Sequence, residues 1–261
     1  MSLFFSFSTS VLTKRFTRIA CVATALGWTL VTAGAIPLRF AVAEEVTRSD
    51  VLVQDSFERD EPIAGQEHIG NGWGTNSRTR AKGNQQVDLI DGVMHITRHP
   101  DADHGVSVTH ETSFQDATIE LRFKIGPQDD LGINIADMNE KSVHAGHICM
   151  AKITTQAVEL IDMKTGRMRL DIRQANQAKS LTAEQKALIA STSKKFKHKL
   201  DPSQWHDLQV TIEGDSMHVR IDGDEIGSFQ SAGIGHATKS RLRLAVNRFA
   251  MIDDVLVTRS K

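Results

Sequence analysis

Between Asp129 and Lys152 the chain carries its densest set of titratable and amide side chains: Asp129, Asp130, Asn134, Asp137, Asn139, Glu140, His144, His147 and Lys152. The spacing His144-Ala-Gly-His147 could offer two imidazole nitrogens to a metal, or a general base and its partner. Asp137, His144, His147 and Lys152 are therefore the candidate catalytic residues, with Asn134 a hydrogen-bonding group on a neighbouring strand. The competing reading is a polar loop with two exposed histidines.

Two further sets could bind rather than react. Glu120, Arg122 and Lys124 share the wet face of one strand, and Arg241, Arg243 and Asn247 that of another. Together they would form one charged sheet surface. If that surface is concave, it is a groove for a polyhydroxylated ligand held by Arg and carboxylate groups; if convex, it is a solvated face of ion pairs. Asp55 with Asp253 or Asp254 could hold a structural Ca²⁺ through carboxylate oxygens. No other cofactor is expected.

Other chemistry is disfavoured. A retaining glycosidase needs two carboxylates about 5 Å apart. Glu159 and Asp162 are three apart on a strand and fall on opposite faces, as do the adjacent Asp253 and Asp254. Asp222, Asp224 and Glu225 read as turn chemistry. There is no Tyr, and Trp73 and Trp205 stand where core anchors are expected, which argues against an aromatic sugar-stacking platform. Lys194, Lys195, Lys197, His198 and Lys199 read as a solvated insert. Cys149 lies in an apolar strand and reads as an inert buried thiol.

The elements that must position these groups are strands. Leu208, Val210 and Ile212 alternate with Gln209, Thr211 and Glu213; Gly214-Asp215 breaks the run, Met217, Val219 and Ile221 restart it, and Asp222-Gly223 breaks it again before 225–229. That is a three-stranded antiparallel meander. Further strands are expected over 51–57, 72–75, 86–90, 93–98, 106–109, 117–125, 132–136, 147–153, 156–162, 167–172, 241–247 and 251–258. Thr182 and Gln185 can form a capping box, and 183–190 is rich in helix formers, so one short helix is expected near 182–190. Many short strands without a βαβ rhythm make the chain all-β, a two-sheet antiparallel sandwich or jelly roll.

Residues 1–43 read as an export signal rather than fold. Lys14, Arg15 and Arg18 precede a nearly apolar run over 19–36, and Ala41-Val42-Ala43 supplies a small-x-small cleavage site. The alternative is an uncleaved membrane anchor, since the run is about long enough to span a bilayer. Residues 44–261 then form a single domain, secreted or periplasmic. The chain has 31 basic and 32 acidic residues, and the four basic ones in 1–43 have no acidic counterpart there. The remainder is net acidic, which excludes a nucleic-acid partner on charge grounds. With only Cys149 beyond 1–43 it forms no internal disulfide. The oligomeric state stays open.

Asp55-Ser-Phe57, Gly72-Trp73, Asp91-Gly-Val-Met94, Trp205-His206, Ile221-Asp-Gly223 and Ile252-Asp-Asp-Val-Leu-Val257 together resemble the concanavalin A-like lectin/glucanase superfamily. Within it they are most similar to bacterial exported 3-keto-disaccharide hydrolase-like and laminin-G-like domains. The resemblance implies a two-sheet jelly roll whose first and last strands lie side by side, and a carbohydrate ligand. It leaves two functions open: a hydrolase of 3-keto- or other glycosides, or a non-catalytic domain that binds glycan or protein at the cell surface.

Overall fold

The computed structural model describes residues 50–63, 65–202 and 204–260. The 1–43 segment therefore lies outside the described residues. Among those described, no helix is long and apolar enough to cross a membrane.

Two antiparallel sheets face each other across one apolar core. The first has eight strands: β13 (Asp224–Gln230), β12 (Ser216–Ile221), β11 (His206–Glu213), β6 (Ala117–Lys124), β15 (Phe249–Arg259), β4 (Val93–Thr97) and β3 (Val87–Ile90) in spatial order, with β1 (Val51–Asp55) also on β15. The second has seven: β10 (Ser193–Lys197), β9 (Ala157–Asp162), β8 (His147–Thr154), β7 (Asp130–Ala136), β14 (Lys239–Val246), β5 (Val106–Phe114) and β2 (Trp73–Thr75). The expected meander is β11–β12–β13. Asp222-Gly223 turns it with positive φ at both residues, the geometry a tight two-residue hairpin needs, and Asp91-Gly92 does the same between β3 and β4. First and last strands pair as expected, Val53 opposite Val257 and Asp55 opposite Val255.

Alternation decides what each sheet buries. On β6, Ile119, Leu121 and Phe123 enter the core while Thr118, Glu120 and Arg122 face outward. Burying each such side chain stabilises the fold by roughly 1.5–3 kcal/mol. Strand β7 breaks this rule informatively. Leu131, Ile133 and Ile135 fill the core, yet Asp130, Gly132, Asn134 and Ala136 on its other face are buried too. The outer face of the seven-stranded sheet is therefore covered at its centre.

Helix α3 (Ala183–Ser191) carries the expected capping box: Thr182 Oγ1 accepts from the Gln185 backbone, and Gln185 Oε1 from the Thr182 backbone. Three expectations need correction. The strand expected over 167–172 is instead the approach to α2 (Leu170–Gln177), which buries only Ile172 and leaves Leu170 exposed, so its apolar alternation has no partner strand. The lysine-rich tail of the insert, read as a solvated segment, is also a strand: β10 pairs along β9 at the sheet edge with its lysines mostly exposed, and edge lysines discourage further pairing. A four-residue helix, α1 (Ser77–Arg80), stands where no helix was expected.

Candidate functional site

The covered patch is built by register. Arg243 on β14 lies opposite Asn134 on β7, which lies opposite Met150 on β8. All three face away from the core. Above them the chain leaves β7, loops, and returns through a single 3-10 turn at His144–Gly146 into β8. Ala145 and Gly146 both take positive φ, and a side chain at 146 would collide with the Asp137 carbonyl, so this tight return requires glycine.

The turn delivers its polar atoms to Arg243. Arg243 Nη2 donates to the Ala145 carbonyl at 2.8 Å and to Met138 Sδ at 3.2 Å. Its Nη1 lies 3.2 and 3.3 Å from the two His147 ring nitrogens. His147 Nδ1 donates to Asn134 Oδ1 at 3.0 Å, which leaves the Nε2 lone pair to accept from Arg243. Asn134 Nδ2 in turn donates to Met163 Sδ at 3.0 Å. Burial, then the Arg243 charge, push His147 down to about 3, so it is neutral across physiological pH. Burial brings Arg243 down to about 10, which leaves it charged. Arg243 is only 7% exposed, and among the described residues it makes no ion pair. His144, half-buried at the rim, is also lowered, by burial and by Arg173, Arg243 and Arg80, so its lone pair is free of a proton near neutral pH.

These groups line a cavity of about 430 Å³ that includes Asn134, His144, His147, Arg241 and Arg243 among the residues expected from sequence. Arg80, His104 and Met163 also line it. They reach it from a loop, a short helix and a strand end with no local signature in the chain. No Asp or Glu is among its described lining residues.

Four other expected residues lie elsewhere. Asp137 stands outside the lining and braces the loop. Its carboxylate accepts from Thr238 Oγ1 at 2.6 Å, His236 Nε2 at 3.0 Å and the Asn139 amide at 2.9 Å, and against the opposing effect of burial these bonds hold it down to about 2. Lys152 also lies outside, ion-paired with Asp130 at 2.9 Å. The single charged surface expected from Glu120, Arg122, Arg241 and Arg243 does not exist, because β6 and β14 belong to different sheets. Glu120 and Arg122 line a separate cleft of about 530 Å³ on the eight-stranded sheet. There Glu120 accepts from Gln209, and Arg122 pairs with Asp253 at 3.3 Å and Asp254 at 3.6 Å. Trp205 is no core anchor but lies half-buried against the Arg122 guanidinium, whereas Trp73 is buried as expected.

Asp55 and Asp253 do not form a shared ligand set. Asp55 is buried, clamped by Arg59 at 2.6 and 2.9 Å and bonded by Trp73 Nε1 at 2.9 Å, while Asp253 faces outward onto Arg122. Strand alternation sends them to opposite faces. Among the described residues no group of three or more His, Cys, Asp or Glu side chains could hold a metal.

Residues 65–250, which contain every residue of the cavity lining, match the 3-keto-alpha-glucoside-1,2-lyase-like domain. The chain belongs to that family. It is a family of carbohydrate-active domains. No curated protein matches the sequence. Among solved structures the chain is similar to SCLam, a non-specific endo-beta-1,3(4)-glucanase from family GH16, at 12% identity and a TM-score of 0.54, covering 83% of this chain and 94% of that one. It is similar to a laminarinase from Flavobacterium sp. UMI-01 at 11% identity and a TM-score of 0.50, covering 80% and 99%. It is likewise similar to the Crh5 transglycosylase, at 11% identity and a TM-score of 0.50, covering 84% and 90%. At these identities the likeness is one of fold, the concanavalin A-like jelly roll that the sequence motifs resemble.

Proposed function

We propose that this protein cleaves 3-keto-glycosides by elimination in the cavity on the seven-stranded sheet. The observation that carries the reading is a neutral imidazole beside a buried guanidinium in a pocket whose described lining holds no carboxylate. Such a site is poorly suited to double displacement by paired carboxylates. It is suited to removing a proton next to a carbonyl.

A ketone at C3 acidifies the C2 hydrogen. His144 takes that proton, and the electron pair moves onto the C3 oxygen, whose negative charge Arg243 stabilises. The enolate re-forms the ketone as the C1–O bond breaks, leaving a C1=C2 double bond conjugated to it. The imidazolium returns its proton to the departing oxygen, so water is not consumed. His147 and Asn134 act as positioning residues that hold Arg243 at the base of the cavity. The reaction requires neither metal nor cofactor. The protein works outside the cytoplasm after cleavage of 1–43, and N-terminal sequencing of the exported chain checks that.

Purified residues 44–261 incubated with a methyl α-glucoside oxidised at C3 should release methanol and build up the ultraviolet absorbance of an enone, and His144→Ala should slow this on the order of 10²-fold or more. Release of methanol with 3-keto-glucose and no enone would replace elimination by hydrolysis. Tight binding without turnover would make the domain a glycan-binding module instead.

A further inference from the structure

Charge is also left uncompensated at the β10 edge of the seven-stranded sheet. Residues 179–199 hold six lysines (179, 186, 194, 195, 197 and 199) and a single acid, Glu184, although the whole chain carries 31 basic and 32 acidic residues. All six are exposed. Lys82, Lys152 and Lys164 elsewhere pair with acids, but among the described residues none of these six makes an ion pair. Glu159, opposite Lys195 on β9, is already held by Arg167 at 3.1 Å.

The fold sets three of these lysines in a row. Strand β10 pairs with β9 residue for residue over 193–197, and the pairing continues where the His198 amide donates to the Gln156 carbonyl at 3.2 Å and the Leu200 amide to the Thr155 carbonyl at 3.0 Å. Alternation turns Phe196, His198 and Leu200 inward and Lys195, Lys197 and Lys199 outward, about 7 Å apart. Phe196 lies on Gly227 of β13, where a side chain would collide with its ring, and Leu200 is in the core, so the row stands on a fixed segment. Lys186 joins it from α3, lining a small cavity with the Arg167 that holds Glu159 beside Lys195. Protection of the sheet edge accounts for lysines on β10, but not for Lys199 beyond its end or Lys186 on a helix. Strand parity puts the row on the outer face that also carries Asn134 and Met150, four strands from Arg243, or roughly 20 Å.

We propose that Lys195, Lys197 and Lys199, with Lys186, dock a linear anionic polysaccharide carrying carboxylate or sulfate groups at regular intervals. One exposed lysine contributes little, but cations fixed at even spacing act together on a polymer whose charges also repeat. A bilayer fits less well: no large apolar side chain in 179–199 is exposed and Phe196 is turned inward, so nothing there anchors in lipid. The row holds the protein on a glycan without filling the cavity, and it is independent of the reaction proposed above.

Calorimetric titration of residues 44–261 with dextran sulfate, polygalacturonate and neutral dextran tests it. At low salt at least one anionic polymer should bind more than about tenfold tighter than dextran, and added NaCl should erase the difference. Replacing Lys195, Lys197 and Lys199 together by Gln should weaken that binding about tenfold. Replacing Lys82, Lys124 and Lys141 by Gln removes the same charge elsewhere and should change it by less than about twofold. Both triple variants should keep the parent's circular dichroism. Whichever anionic polymer binds tighter identifies the anion. Equal losses in the two variants would mean attraction by net charge alone and would overturn the row. Binding by neither anionic polymer, or only by phosphatidylglycerol vesicles, overturns the polysaccharide. These failures leave the 3-keto-glycoside function standing, because the row variant keeps every residue of the cavity and should cleave a methyl 3-keto-glucoside at the parent rate. A lower rate in that variant would overturn the independence of the two sites.

Discussion

Two arginines, one on the outer face of each sheet, are compensated in opposite ways. On the eight-stranded sheet Arg122 meets Asp253, Asp254 and, at 3.9 Å, Asp207. On the seven-stranded sheet Arg243 is more deeply buried and has neutral partners only. The two clefts are of comparable size, about 530 and 430 Å³, yet the groups of the first already satisfy one another. Cavity size therefore does not separate the faces, whereas uncompensated charge does, and the proposed site follows the charge. A face whose charges are mutually paired is stable as it stands, while one holding an unmatched cation and a proton-free imidazole retains free energy that a ligand can release.

That contrast can be broken first by substitution. Arg243→Gln should lower turnover of a 3-keto-glycoside on the order of 10²-fold, the cost of removing a charge stabiliser. Arg122→Gln, on the other face, should change it by less than about twofold and stability by roughly 0–1 kcal/mol. Equal losses from the two substitutions would put the site on the wrong sheet. Kinetics at a temperature where circular dichroism shows both variants folded separates catalysis from unfolding.

The loop is the next target. Gly146→Val forces a β-branched residue into positive φ and against the Asp137 carbonyl, so it should lower stability by about 1–3 kcal/mol and displace Ala145 from Arg243. Gly223→Val, at positive φ in an open hairpin turn, should cost stability too but leave turnover intact. Denaturant midpoints paired with rates distinguish the two.

A separate effect is in pH dependence, where the two histidines carry opposite signs. His147 is held down to about 3, so the unfolded chain takes up a proton near pH 6.5 that the native site refuses; its contribution is complete above pH 6.5 and lost as pH falls toward 3. Although burial opposes it, the bond to Asp222 raises His206, so its contribution is complete below pH 6.5 and lost as pH rises through the raised value. Melting temperature against pH should flatten on the acid side in His147→Gln and on the neutral side in His206→Gln. The same sign in both would mean that His147 is protonated in the folded protein.

Much of this molecule is local and hence readable along the chain. A strand shows its buried face through period-two alternation, so β6, β11, β12 and β14 are visible in 117–125, 206–221 and 241–247. Asp-Gly turns and the Thr182–Gln185 capping box depend on neighbours a few residues apart. The same locality misled at 167–172, where alternation persists without a partner strand, and at 193–197, where lysines hide an edge strand. Half of the site was legible in this way, since Asn134, His144 and His147 sit close together in sequence.

What alternation could not decide was which sheet a strand joins. It marks Arg122 and Arg243 alike as outward, and only the pairing of β6 with β11 and β15, and of β14 with β5 and β7, sends them to opposite sides of the molecule. Nor could it show that Arg80 and Arg243, far apart in the chain, line one cavity with a pair of imidazoles. In-or-out is set by each residue's own neighbours along the chain and was determined by the sequence itself. Which charges meet, and which are left without a counter-charge, depends on contacts across many tens of residues, and only the tertiary structure decided it.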